Sequence, residues 1–139
     1  MVQRLLKIST LKVTEAIQVA LREYAQLRKS VVETDGLLVA LLEQQDSVGR
    51  KIIEKICDDP DTVIHKIIDE CYENMSAVTN LPSTGMGQIL ISKDIENLFE
   101  EADKKRKKYG DTFISTGALF LSFFSDSVLK SQCVGNLTL

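Results

Sequence analysis

The chain has 139 residues, 44% of them apolar and 27% charged, with a net charge of −3. This composition fits one globular domain with a core of ordinary size and excludes a disordered or collagen-like chain. It supplies no global charge to recruit nucleic acid or an anionic membrane, and no apolar run approaches the roughly 18 residues of a membrane span.

Residues 1–9 are a short lead-in, and MVQRLLKIST lacks the apolar stretch and cleavage site of a signal peptide. Ser9 or Thr10 caps a helix running to about Arg28, with Val13, Ile17, Ala20, Leu21, Tyr24 and Leu27 on one face. Val31-Val32 form a short extended connection. Thr34 caps the next helix, whose Leu37, Leu38, Leu41 and Leu42 face inward; it is apolar nearly all round and therefore central. Asp46 or Ser47 starts a third helix carrying Val48, Ile52, Ile53 and Ile56. DDPD (Asp58 to Asp61) is a helix start: a carboxylate cap, proline in the first turn, and a further carboxylate at the positive end of the dipole. The fourth helix carries Val63, Ile64, Ile67, Ile68, Cys71, Tyr72 and Met75. NLPSTGMGQ (Asn80 to Gln88) is dense in turn residues and reads as a link. Ser92 caps a fifth helix with Ile95, Leu98, Phe99, Ala102 and Tyr109 on one face, ended by Gly110-Asp111. Ser115 or Thr116 starts a sixth, Ala118 to Phe124, and Asp126 begins a last short helix through Leu129.

Two of these stretches are copies. Shifting the sequence by 82 positions (92 − 10) lays Ser92–Phe124 on Thr10–Leu42 without a gap. Val13 falls on Ile95, Ile17 on Phe99, Leu27 on Tyr109, Val31-Val32 on Phe113-Ile114, Thr34 on Thr116, and LLVALL on LFLSFF. Only Ala20, Thr34 and Leu37 match their partners in identity, so the repeat lies in the order of cap, long helix, β-branched or aromatic pair, threonine and short apolar helix. Two copies at this spacing imply an all-α, pseudo-twofold domain of duplicated four-helix repeats rather than a solenoid. Repeat one covers about 10–79, the link about 80–91 and repeat two about 92–139, with the last helix of the second repeat truncated.

Chemistry has little to stand on. Lys104 to Lys108 is a basic run, but Glu100, Glu101 and Asp103 precede Lys104, Lys105 and Lys107 by four residues, the order that supports a helix. Five consecutive cations also sweep all sides of a helix, so a solvated face is the expectation and nucleic acid is not a partner. TGMGQ has neither the lysine nor the preceding strand of a phosphate loop. The lone His65 has Asp61 and Asp69 at i−4 and i+4, but no ligand set and no nucleophile to serve, so a surface histidine is expected and no metal site. Cys57, Cys71 and Cys133 are few and widely spaced, and read as reduced, mostly buried thiols of a cytoplasmic protein. Met75 reads as core, and Met86 as adaptable surface near the link. No acid–base constellation supports an enzyme.

The chain resembles the Clp N-terminal domain, the double-repeat helical module of Hsp100 AAA+ chaperones, and is most similar to those of ClpB disaggregases. The resemblance is carried by LPSTGMGQ before the helix from Ser92, GDTFIS (Gly110 to Ser115) leading into an apolar helix, and TEAIQVAL and TDGLLVALLEQQD in the first half. It implies a mobile module without catalysis of its own, docking unfolded or aggregated client proteins or an adaptor in a hydrophobic groove between the repeats. ATP and magnesium would then belong to the ATPase rings of a hexameric, stress-response full-length protein, with the isolated domain monomeric and free of cofactors. A free-standing regulator or adaptor of a Clp ATPase is the alternative implied.

Carried over by position, the groove sites are Thr10, Phe99, Asp111 and Ala118. Val13 and Gly117 join them as residues at the meeting of the repeats, with small side chains at 117 and 118 leaving room for a client side chain. Relatives that read phosphorylated arginine use an acidic residue before each LL run; here those positions are Asp35-Gly36 and Gly117-Ala118, so only Asp35 offers a carboxylate.

Overall fold

The computed structural model describes residues 2–77 and 90–124. Among these are seven helices and two short strands: α1 (Val2–Leu6), α2 (Leu11–Gln26), β1 (Val31–Val32), α3 (Thr34–Leu42), α4 (Val48–Ile56), α5 (Pro60–Ala77), β2 (Leu90–Ile91), α6 (Lys93–Tyr109) and α7 (Thr116–Ser122). The link Asn80–Gln88 with Met86, the helix expected from Asp126, and Cys133 lie outside the described residues.

Helix starts follow the local chemistry. The hydroxyls of Ser47, Ser92 and Ser115 accept the N–H groups of Arg50, Ile95 and Ala118 at 3.2, 3.3 and 3.1 Å, satisfying donors that have no partner within the helix. Asp59 accepts from the Thr62 hydroxyl at 2.6 Å just before Pro60, as DDPD implies. Thr34 is a correction: Glu33 is the N-cap residue, without a side-chain bond, and Thr34 is the first helical residue, turned into the core. Glu33 is the last residue with extended backbone (φ −102°, ψ 168°), so the helix starts one residue earlier than a Thr34 cap implies. The lead-in is also more than a lead-in, because α1 buries Leu5 and packs against α6.

α3 is central, with Leu37 through Leu42 all buried, and it packs against α2, α4, α5 and α7. α6 packs on α7 and α1, while α4 and α2 reach across to α7. Cys71 is wholly buried on the apolar face of α5, but it is disulfide-bonded, which corrects the expectation of a reduced thiol; Cys57 is free and half-buried. Met75 is core.

The duplication is visible in the backbone bonds. Thr10 N–H donates to Ile114 O at 2.9 Å, and Ser92 N–H donates to Val32 O at 3.0 Å. The same shift (92 − 10, 114 − 32) converts one bond into the other with the repeats exchanged, as a twofold axis requires. The lead into each long helix is therefore stitched to the strand that follows the other long helix: β1 pairs in parallel with β2, and Ser9 bridges Ile114. Helix ends obey the same relation, since Arg28 (φ 57°) and Gly110 (φ 73°) occupy equivalent left-handed positions. Gly110 adopts this backbone at no steric cost, and its N–H returns to Arg106 O and Lys107 O.

The basic run of α6 is anchored on one buried acid. Asp103 accepts from Arg106 Nε at 2.8 Å and faces Lys107 Nζ at 3.5 Å, while Lys104 pairs with Glu101 at 3.3 Å. Two of these three pairs are i,i+3 rather than the expected i,i+4, and the i,i+4 pair is Asp103 with Lys107. Burial acts to raise the Asp103 carboxyl, but the hydrogen bond and charge of Arg106, aided by Lys107, outweigh it and hold the group below the ordinary aspartate value. A folded-state value below the unfolded one, about 3.9, means the stabilisation is complete above that pH and is lost as pH falls through the folded value. Asp103→Asn is expected to lower stability by about 1–3 kcal/mol at neutral pH. In urea melts the gap to wild type should hold steady down to about pH 5 and close below about pH 4.

Candidate functional site

The stitching bonds bring the starts of α2, α4 and α7 together. Thr10, the N-cap of α2, is partly exposed and bonds Ile114, which lies two residues before α7. Lys12 Nζ donates to Gln45 O at 2.6 Å and Gln44 Nε2 donates to Lys12 O at 2.8 Å, tying the first turn of α2 to the turn before α4. Gly117 completes the junction, since a Cβ added there would lie 3.3 Å from Val48 Cγ1 and 3.7 Å from Ser115 Oγ.

The expected site residues divide by depth. Thr10 and Gly117 are partly exposed at the junction. Val13 and Phe99 are wholly buried, so they can shape a seam only from beneath. Ala118 is buried in the first turn of α7, its N–H held by Ser115 and its carbonyl accepting the Ser122 hydroxyl at 2.8 Å. The space expected beside residues 117 and 118 is therefore occupied by Val48: small residues there bring α7 close to α4. Asp111 is exposed at the far end of α6, where its carbonyl accepts from Arg106 at 3.2 Å.

Asp35 stands apart from this junction, in the first turn of α3. Its carboxylate accepts from Asn74 Nδ2 at 3.4 Å. Burial raises it above the ordinary value, and the Asn74 bond only partly offsets that. Glu33 is raised as well, by burial and then by the charges of Asp94 and Asp35. The equivalent of Asp35 in the second repeat is Gly117, so the structure holds one carboxylate of the pair and not two.

Sequence reasoning missed the exposed apolar side chains of the junction. Leu11 is 74% exposed, Val48 37%, and Leu121, one turn along α7 from Gly117, 36%. Leu11 was discoverable, because it falls off the face defined by Val13, Ile17 and Ala20 and has no core position to fill. His65 is exposed, with its Nδ1 3.0 Å from the Asp61 carbonyl oxygen rather than a carboxylate. Among the described residues no group of three His, Cys, Asp or Glu side chains converges as a metal site, and no helix is long and apolar enough to cross a membrane.

These features define a duplicated all-α domain whose repeats are joined reciprocally at a pseudo-twofold seam. The chain belongs to the family of Clp repeat (R) N-terminal domains, whose model matches residues 9–134. Among curated proteins it is 29% identical over 105 residues to the chloroplastic chaperone protein ClpB3 of Arabidopsis thaliana, covering 76% of this chain and 10% of that protein. It is 30% identical over 110 residues to the mitochondrial ClpB3 of Oryza sativa subsp. japonica, covering 79% of this chain and 11% of that protein. It thus spans about a tenth of these relatives' length. The crystal structure of the N-terminal domain of the chaperone ClpD from Arabidopsis thaliana has the same fold, with a TM-score of 0.59 at 17% identity, covering 89% of this chain and 86% of that one.

Proposed function

We propose that this chain is the substrate- or adaptor-docking module of a ClpB-like Hsp100 AAA+ chaperone, receiving exposed hydrophobic segments of unfolded or aggregated proteins at the seam between its repeats. The observation that carries the reading is the cluster of exposed apolar residues, Leu11, Val48 and Leu121, around the junction of α2, α4 and α7. A patch of separate leucine and valine side chains without a deep pocket suits weak, sequence-tolerant binding, and weakness lets a delivery module release its client. ATP hydrolysis, hexamer formation and protein threading are assigned to the rest of a longer cytoplasmic protein, with the ATP and magnesium those steps need.

Leu11→Asp tests the reading, because Leu11 is 74% exposed and lies outside the core. Burying one such side chain against a client is worth roughly 1.5–3 kcal/mol, and tenfold in affinity takes about 1.4 kcal/mol. Fluorescence anisotropy with a labelled, permanently unfolded model protein is expected to show binding weakened by tenfold or more, with an unchanged melting temperature. Equal binding by variant and wild type would remove this seam from the function.

A further inference from the structure

The far end of α6 carries a second surface, which borders the seam only where Ile114 is bonded to Ile8 and Thr10. The C-terminal half of α6 presents Lys104, Lys105, Lys108 and Tyr109, with Glu101 at the rim, around a shallow depression of about 220 Å³. Lys104 pairs with Glu101, and Arg106 and Lys107 share Asp103, whereas Lys105 and Lys108 belong to none of these pairs. Tyr109 is 57% exposed beside them, and Phe113 is 50% exposed a few residues on. A further cation comes from the start of the chain: Ile114 N–H donates to Ile8 O at 2.7 Å, which holds the exposed Lys7 beside the segment containing Phe113. This end of an acidic protein thus sets Lys7, Lys105 and Lys108 among two exposed aromatic rings, with Glu100, Glu101 and Asp111 at its border.

The basic face has a structural origin. The guanidinium of Arg106 is spent on Asp103 and on the carbonyls of Asp111 and Thr112, at 3.2 and 3.5 Å, which pins the loop after α6. That leaves the half-buried Lys105 and the exposed Lys108, one turn apart, lining the same depression as Tyr109. Lysine stems cover apolar surface while their heads remain in water, and the aromatic rings add flat apolar area. A partner matching both would alternate carboxylates with aromatic or aliphatic side chains. A long polyanion is disfavoured, because the chain carries a net charge of −3 and Glu100, Glu101 and Asp111 border the patch.

We infer that the Lys105–Lys108–Tyr109 face of α6, extended by Phe113 and Lys7, is a docking surface for a short acidic peptide segment interspersed with apolar residues. The probe is a fluorescein-labelled peptide in which glutamate alternates with phenylalanine, titrated against the full 139-residue chain at low salt. Lys105→Glu with Lys108→Glu is expected to weaken binding roughly tenfold or more, since each change turns an attraction into a repulsion. Lys51→Glu with Lys66→Glu, an equal change in net charge at exposed sites on α4 and α5, is expected to change it less than about twofold, since exposed charges away from the face are screened. Tyr109→Ser with Phe113→Ser should also weaken it, by loss of the apolar share, while leaving the melting temperature unchanged. The inference is overturned if the peptide does not bind, if both charge reversals weaken it equally, or if a single-stranded oligothymidylate binds the same face more tightly than the peptide. Because Leu11 is not part of this face, Leu11→Asp should bind the peptide as wild type does, which keeps this result separate from that of the seam.

Discussion

Phe99→Ala is expected to destabilise the domain by about 3–5 kcal/mol, the usual cost of emptying a buried aromatic site. Phe99 is wholly buried on α6, which packs against α7 and α1, so the cavity would open between elements of both ends of the chain. Its equivalent in the first repeat, Ile17, is also buried, and Ile17→Ala should cost about 2–5 kcal/mol by the same mechanism. Against a total stability of about 5–15 kcal/mol, the Phe99 change leaves a narrow margin; at roughly 4 °C per kcal/mol it lowers the melting temperature by about 12–20 °C. Urea melts followed by far-UV circular dichroism check this, with the slope unchanged if the native surface is unchanged. A loss under about 1 kcal/mol would show that Phe99 is not core. The result bears directly on function. A charge at position 99 would be buried without a partner, so weaker client binding by Phe99→Asp would report a lost fold. Leu11 separates the two effects because it faces water.

What the sequence discloses is periodicity, and periodicity is set by burial. Val13, Ile17, Ala20 and Tyr24 recur at helical spacing because one face of α2 is inside, and the same holds for Ile95, Leu98, Phe99 and Ala102 of α6. The pattern overshoots at helix ends, where the core recedes: Leu27 and Tyr109 continue the stripe but are exposed. α1 was not legible, because a five-residue helix has no stability of its own and exists through the contact of Leu5 and its neighbours with α6. Val31-Val32 was legible as extended from its β-branched side chains, but its partner Leu90–Ile91 fell within residues read as a link. A two-residue parallel strand is made by a tertiary pairing, which leaves no periodic trace. The same limit governs the seam. Spacing placed Thr10 and Val13 at the meeting of the repeats, but whether a side chain lies on that meeting or beneath it depends on how closely α7 approaches α4, and that is fixed by Gly117 against Val48.

Gly36→Ala is expected to cost about 1–3 kcal/mol, although alanine is the better helix former by roughly 1 kcal/mol. The reason is the ring of Tyr24: a Cβ at position 36 would overlap Tyr24 Cε2 and come within 3.1 Å of Cδ2 and 3.2 Å of Cζ. The ring has nowhere to go, being buried to 1% exposure, with its hydroxyl engaged by the backbone of Glu33 and Gly36. Burial, and then the nearby Asp35, raise the phenol well above its ordinary value, so it remains neutral at any pH of interest. The second repeat has already made the compensating exchange. The equivalents of Tyr24 and Gly36 are Arg106 and Ala118: where the ring is absent, a Cβ is present. Tyr24→Leu is therefore expected to be destabilising alone but to remove the penalty at position 36, so that Gly36→Ala in that background is neutral or gains up to about 1 kcal/mol from helix propensity. Such paired exchanges explain how two repeats can share a fold with few identities, since the volume of the pair is retained while its members change. Thermal melts of the two single variants and the double variant measure the coupling. If Gly36→Ala raises the melting temperature in the presence of Tyr24, the ring does not fill that space, and the contrast between the repeats has another origin.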